Sequence, residues 1–263
     1  MSTQDSQAFF HREGDWYVGN DPARGPWSAE DCHAGPVTGV IAGEAERLIG
    51  DKQLVRLTVN YVRPVPVAGF MAVAEPAGSG RTAASVSVTL RDRDGKLCAT
   101  AQSLHLALNE IPAPPTAEPS APRFEDAQQG SFPVKAPLHD LPFFGSEIEV
   151  AYPPGEDNEP GPTTLWMRVP PIVAGETTSP FQSLCPLADC ANGFARNADF
   201  TEVSCVNPDL TILVHRLPRS EWLASKGVSF WEPSGIGSTQ ATLYDTDGVI
   251  GSALQSLVIR PLV

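Results

Sequence analysis

The chain has 263 residues, 41% of them hydrophobic, with 18 basic against 31 acidic side chains and a formal net charge of −13. That length fits one large domain or two ordinary ones, and the acidic balance argues against nucleic acid or an anionic membrane as the main partner. No apolar run approaches the roughly 20 residues of a bilayer span, and the opening MSTQDSQAFFHREGD lacks the basic and apolar regions of a secretory leader.

Residues 1–8 read as disordered, and Phe9 to Val18 as a strand or irregular pair running into a Gly/Pro-rich loop through Pro26. WSAEDCHAGPVTGVIAGEAERLIG follows. Pro36 suits the first turn of a helix, Val37, Ile41, Ala45 and Leu48 keep one apolar face, and Gly50 is placed as a C′ stop. The small residues Ala34, Gly35, Gly39, Ala42 and Gly43 suit a helix wrapped closely by a sheet. The pattern then changes to period two. Strands are expected over residues 54–61, 69–77, 81–91 and 96–108, with Pro64 and Pro66 ending the first. This half, residues 1–110, reads strand, helix, four strands.

Residues 111–133 are rich in Pro, Ala, Glu and Gln and read as a linker. The second half, residues 134–263, repeats the order, with strands over 144–151 and 164–169, a helix over 186–198, and strands over 209–216, 221–231, 237–245 and 249–258. The five cysteines (Cys32, Cys98, Cys185, Cys190, Cys205) show no C-x-x-C spacing. Reduced, buried thiols in a cytoplasmic protein are therefore expected, with no metal site.

The halves share a phrase. LRDRDGKLCATAQSLHL from Leu90 and LYDTDGVIGSALQSLVIR from Leu243 each place a D-G hairpin turn before Gln-Ser-Leu, at a constant offset of 153 residues. Arg63 and Arg216 keep the same offset, each closing the strand after its helix. One domain has been written twice.

A strand, a central helix and four antiparallel strands, present twice, is the order of a double hot-dog protein, and the second half resembles the TesB-like (type II) acyl-CoA thioesterases in three places. These are the Asp of Leu187-Ala188-Asp189 opening the second central helix, the segment Asn207-Pro208-Asp209-Leu210-Thr211 running to His215-Arg216 and Glu221-Trp222, and Gln255 on the last strand after the D-G hairpin. His33-Ala34-Gly35-Pro36 resembles the glycine-containing helix start of the first hot-dog. The resemblance implies an α+β fold with two antiparallel sheets, each wrapped around a central helix and fused as one continuous sheet. It also implies hydrolysis of a fatty acyl-CoA to free acid and coenzyme A, with no cofactor. The family holds its attacking water with an Asp, a Thr or Ser, and a Gln. These fall on Asp189, Asn207 and Gln255, so Asn207 departs from the hydroxyl pattern.

Thioester hydrolysis needs an acceptor for the water's proton and donors for the developing oxyanion. Asp189 suits the first task, and the Gly35 N–H at a helix start suits the second. Gln102 aligns with Gln255 by offset, while Asp189 aligns with Pro36, so the acid is confined to the second half. Two other readings stay open. One is a hydratase or dehydratase acting through His33 and Asp31, and the other is an acyl-CoA-binding protein without activity. Arg216 and Arg219 are candidates for coenzyme A phosphates. An edge strand at each end of the sheet leads to an expected homodimer or higher homo-oligomer.

Overall fold

The computed structural model describes residues 8–262 apart from 113, 118–119 and 136–138. The disorder expected at the N-terminus therefore falls outside the described residues except at Ala8, which is buried together with Phe9 and Phe10. Phe10–Glu13 (β1) and Trp16–Gly19 (β2) form a hairpin turned at Gly14, whose φ is 61°. The helix Ala34–Leu48 (α1) follows, then the strands Gln53–Tyr61 (β3), Phe70–Ser79 (β4), Ala83–Asp92 (β5) and Leu97–Leu106 (β6). The Pro-rich stretch contributes a two-residue strand, Gln128–Gln129 (β7). The second half holds Phe144–Glu147 (α2), Glu149–Tyr152 (β8), Thr163–Arg168 (β9), Pro180–Ala188 (α3), Ala191–Phe194 (α4), Val203–Val206 (β10), Asp209–Val214 (β11), Leu223–Trp231 (β12), Ile236–Asp245 (β13) and Gly248–Pro261 (β14).

Among the described residues there is one sheet of 14 strands, in the order β1-β2-β4-β5-β6-β3-β11-β14-β13-β12-β9-β8-β7, with β10 on β14. The halves join where β3 pairs with β11. There Thr58 sits opposite Thr211, their hydroxyls 3.1 Å apart. Two residues one repeat apart, facing each other across an antiparallel pair, mark a local two-fold axis. This is the double hot-dog expected from the sequence.

The repeat slips by one residue after its hairpins. Asp245 pairs directly with Gly248, whereas the turn after Asp92 closes with Lys96 O and holds one residue more. Beyond the turns Thr239 faces Gln255 and its counterpart Val86 faces Ser103, so the last-strand offset becomes 255 − 103 = 152. A slip of one residue exchanges the faces of a strand. Gln102 is accordingly exposed, and Ser103 is the buried counterpart of Gln255. The alignment of Gln102 with Gln255 is corrected by this register.

Helix α1 is buried around most of its circumference, because the sheet covers one side and α3 the other. Gly35, Gly39 and Gly43, one turn apart, form the stripe facing the second half. A Cβ on Gly35 would lie 2.8 Å from Pro186 Cα, one on Gly39 2.7 Å from Ile172 Cδ1, and one on Gly43 would overlap Gln182 Nε2. The glycines serve helix–helix approach rather than sheet wrapping, and Gln182 Nε2 donates to Gly39 O across the gap at 3.1 Å. Leu48 lies off the buried face at 41% exposure, and Gly50 does not take a positive φ.

Two second-half elements differ from their sequence expectation. The helix begins at Pro180, not 186, because Ser179 and Gln182 form a reciprocal capping box: Gln182 N donates to Ser179 Oγ at 3.1 Å and Ser179 N to Gln182 Oε1 at 2.8 Å. The strand expected from residue 144 starts at Glu149. Phe144–Glu147 is instead a helical turn, closed by Ser146 Oγ accepting from Phe143 N at 3.0 Å, and it buries the Phe144 ring.

Candidate active site

A break in the second central helix, between Ala188 and Ala191, builds the site, and it follows Pro186. Pro186 lies in the last turn of α3, where its ring has no N–H to donate to Gln182 O. The chain tightens after it: Cys190 N donates to Leu187 O at 3.1 Å, and the Pro186 carbonyl accepts from Cys190 Sγ at 3.1 Å instead. Asp189 is the C-cap of α3, so it closes one helix immediately before α4 rather than opening a helix. Gln255 stitches the break from β14. Its Oε1 accepts from Asn192 N at 3.1 Å and its Nε2 donates to Asp189 O at 2.8 Å, so one side-chain amide replaces backbone partners that the broken helix lacks. Gln255 is buried behind the break and does not line the cavity described next.

The Asp189 carboxylate is only 4% exposed and faces a cavity of about 360 Å³ between the halves. Loop residues before α1, the end of β3, the break, and the chain around β10 line this cavity, and Phe132 and Val134 reach it from the segment before α2. Trp27 and Phe200 stand on opposing loops with ring centroids 5.5 Å apart. Asn207 Nδ2 donates to Asp189 Oδ1 at 2.9 Å and to Asp209 O at 3.2 Å, while its Oδ1 accepts from Asn192 Nδ2 at 3.3 Å. Both amide hydrogens of Asn207 are thus committed to protein. Tyr61, whose hydroxyl lies 2.6 Å from Thr38 Oγ1, also bonds the carboxylate.

Burial dominates the electrostatics. It raises the Asp189 pKa to about 6, against opposing hydrogen bonds from Asn207, Tyr61 and the Gly35 backbone. A carboxylate with that pKa is ionised at neutral pH and basic enough to take a proton from a bound water.

His33 stands on the other side of the carboxylate, with Nδ1 3.5 Å from Asp189 Oδ2. It caps α1, Nδ1 accepting from Gly35 N at 3.1 Å, and its ring lies on Phe144 at 4.0 Å and 17°. Burial lowers its pKa to about 3, so the ring is neutral and the contact with Asp189 is not an ion pair. Cys190 Sγ lies 4.0 Å from His33 Nε2. The spacing resembles that of a Cys-His-Asp triad, but the hydrogen bonds run the other way. With Nδ1 accepting, Nε2 carries the proton and points it at the sulfur, while the thiol itself donates to Pro186 O. Burial pushes the thiol pKa well up, which leaves it unactivated.

The remaining expectations fall as follows. Gly35 is at the site, but its lack of a side chain is required by Pro186, and its N–H is already engaged. Asp31 lines the cavity, and the acid beside His33 is Asp189, not Asp31. Arg216 is held by Asp245 through two bonds of 2.5 and 2.6 Å, so it is not free for a phosphate. The alignment did not indicate Tyr61, Thr38 or Asn192. Asn192 could have been suspected from its place three residues after Asp189, whereas Tyr61 reads only as a strand residue.

The acyl-CoA thioesterase N-terminal domain matches residues 23–106 and the acyl-CoA thioesterase C-terminal domain matches residues 115–259. Among curated proteins, none matches the chain. Solved structures share the fold. A candidate thioesterase from Novosphingobium aromaticivorans is 23% identical, with a TM-score of 0.72 over 95% of this chain and 98% of its own. The acyl-CoA thioesterase II TesB2 of Mycobacterium marinum is 16% identical, with a TM-score of 0.65 over 100% and 98%. A hot-dog protein of unknown function from Alicyclobacillus acidocaldarius is 17% identical, with a TM-score of 0.70 over 100% and 99%. With the two domain models in order along most of its length, the chain belongs to the acyl-CoA thioesterase family, and its reaction is hydrolysis of an acyl-CoA thioester.

Proposed function

We propose that the cavity hydrolyses a fatty acyl-CoA by direct attack of water, with Asp189 as general base. The observation that carries this reading is the buried Asp189 carboxylate, set at a helix break and aimed into the cavity with its pKa near the operating range. The water oxygen attacks the thioester carbon and gives one proton to Asp189, while the C=O π pair moves onto oxygen. Collapse of the tetrahedral intermediate breaks the C–S bond. The departing coenzyme A thiolate takes that proton back from Asp189, which regenerates the base, and the acid is left behind.

Asn207 orients the carboxylate by donating to Asp189 Oδ1. Because both its amide hydrogens are used, it can offer the water only a lone pair of its own Oδ1. Gln255 is a positioning residue, acting through the backbone of Asp189 and Asn192. The test is release of free thiol from a panel of acyl-CoAs of increasing chain length. Wild type should release thiol, Asp189→Ala should not, and Asn207→Ala should fall between. Undiminished release by Asp189→Ala would remove the base.

The same reading divides the chain into residues 1–110 and 134–263 joined by 111–133. Cytoplasmic residence is favoured by five free cysteines, and no described helix is long and apolar enough to cross a membrane. Self-association is favoured by the outer sheet face, where Leu213 and Leu254 stand half exposed beside the Thr58–Thr211 seam, more than by the short edge strands β1 and β7. Light scattering at several concentrations reads the oligomeric state.

A further inference from the structure

We propose that His33, through Nε2–H, is the side-chain donor that holds the thioester oxyanion. This deepens the reading of Asp189 as base and rests on it. The Gly35 N–H, the donor expected at the start of α1, is committed to His33 Nδ1 at 3.1 Å. That commitment has a consequence for the ring. An acceptor at Nδ1 fixes the tautomer, so the single ring proton sits on Nε2. The helix-start N–H therefore reaches the substrate indirectly, relayed through an imidazole.

Three further observations suit a donor. The ring cannot swing freely, because it is stacked on buried Phe144 and pinned by the cap. It is neutral, so its hydrogen bond strengthens as negative charge develops on the carbonyl oxygen and it does not compete for the proton that Asp189 removes. The described partner of Nε2 is Cys190 Sγ at 4.0 Å, a weak acceptor that a carbonyl oxygen can displace. His33 and Asp189 also line the same cavity, with Nδ1 and Oδ2 3.5 Å apart. An oxyanion on Nε2 thus places the thioester carbon within reach of a water on Asp189.

His33→Asn and His33→Gln test this. Asn is a good helix cap but too short to put a donor where Nε2 lies, whereas Gln has the reach. His33→Asn should fold, lower kcat by about 10²–10³-fold and change KM by less than about threefold, and His33→Gln should recover part of the loss. The direct signature is the infrared C=O stretch of an acyl-CoA labelled with ¹³C at the thioester carbonyl, bound to Asp189→Asn. It should move to lower frequency on binding, and the shift should vanish in Asp189→Asn/His33→Asn. A His33→Asn kcat within threefold of wild type, or a shift that survives in the double variant, overturns the proposal. So does loss of thiol release in Cys190→Ala as deep as in His33→Asn, since His33 would then be serving a nucleophilic sulfur. Failure of the base reading appears separately, as hydrolysis that persists in Asp189→Asn.

Discussion

Replacing Asp189 by Asn should end hydrolysis and make the protein more stable, with the gain appearing only above the acid range. The wild-type carboxylate is taken from its ordinary 3.8 to about 6, with burial as the first cause. A carboxyl whose pKa is raised by folding contributes stability that is fully present below the unfolded value and lost as pH rises through the folded one. At about 1.4 kcal/mol for each pH unit, ionising Asp189 in the native state costs about 3 kcal/mol. Asn mimics the neutral acid. It can accept from Asn207 Nδ2 as the carboxylate does and donate toward His33 Nδ1, and it never ionises. His33 titrates with the opposite sign, its stabilising neutrality being lost as pH falls, but it is common to both proteins and cancels to first order. Paired thermal melts from pH 4 to 8 should therefore coincide near pH 4, separate through pH 6 and remain apart above it by roughly 5–10 °C. A variant less stable than wild type at pH 8, or a difference in Tm that ignores pH, would refute the burial argument.

Gln255→Ala leaves two buried backbone groups at the helix break without their partner. It should destabilise by about 1–3 kcal/mol in urea melts and lower kcat more than tenfold. Gly35→Ala should cost about 1–3 kcal/mol, because its new Cβ would meet the Pro186 backbone at 2.8–2.9 Å and neither helix can yield locally. Phe132→Ala and Val134→Ala enlarge the cavity from the side of the interdomain segment. The kcat/KM optimum over a series of acyl-CoAs should move to longer chains, and an unchanged optimum with a uniform loss of rate would place these side chains outside acyl selection.

The sheet was legible because period-two strands, D-G turns and a 153-residue repeat all point the same way, and every long strand lies within a few residues of its expected place. Short elements were not. Strands β7 and β10 carry too few residues for a period, and α2 owes its turn to one serine hydroxyl. The Ser179-Pro180-x-Gln182 start of α3 was present in the sequence but hidden by the apolar run that follows it. At the site, Asp189 and Asn207 were readable from a family pattern, and their hydrogen bond joins them. The purpose of Gln255 was not readable, since whether an amide faces a water or a broken helix depends on the one-residue register of β14. Asp31 is the acid beside His33 in sequence, whereas Asp189 becomes its neighbour only when α1 packs on α3 across the glycine stripe.

The central claim is that one buried carboxylate at a helix break activates the water. Its most direct test is the rate of thiol release from an acyl-CoA between pH 4.5 and 8.5, for wild type and Asp189→Asn. The account predicts a wild-type kcat/KM that rises through about pH 6 to a plateau, and a variant at least about 10³-fold slower with no such rise. A variant that keeps the wild-type rate, or a wild-type profile flat across pH 6, would contradict it.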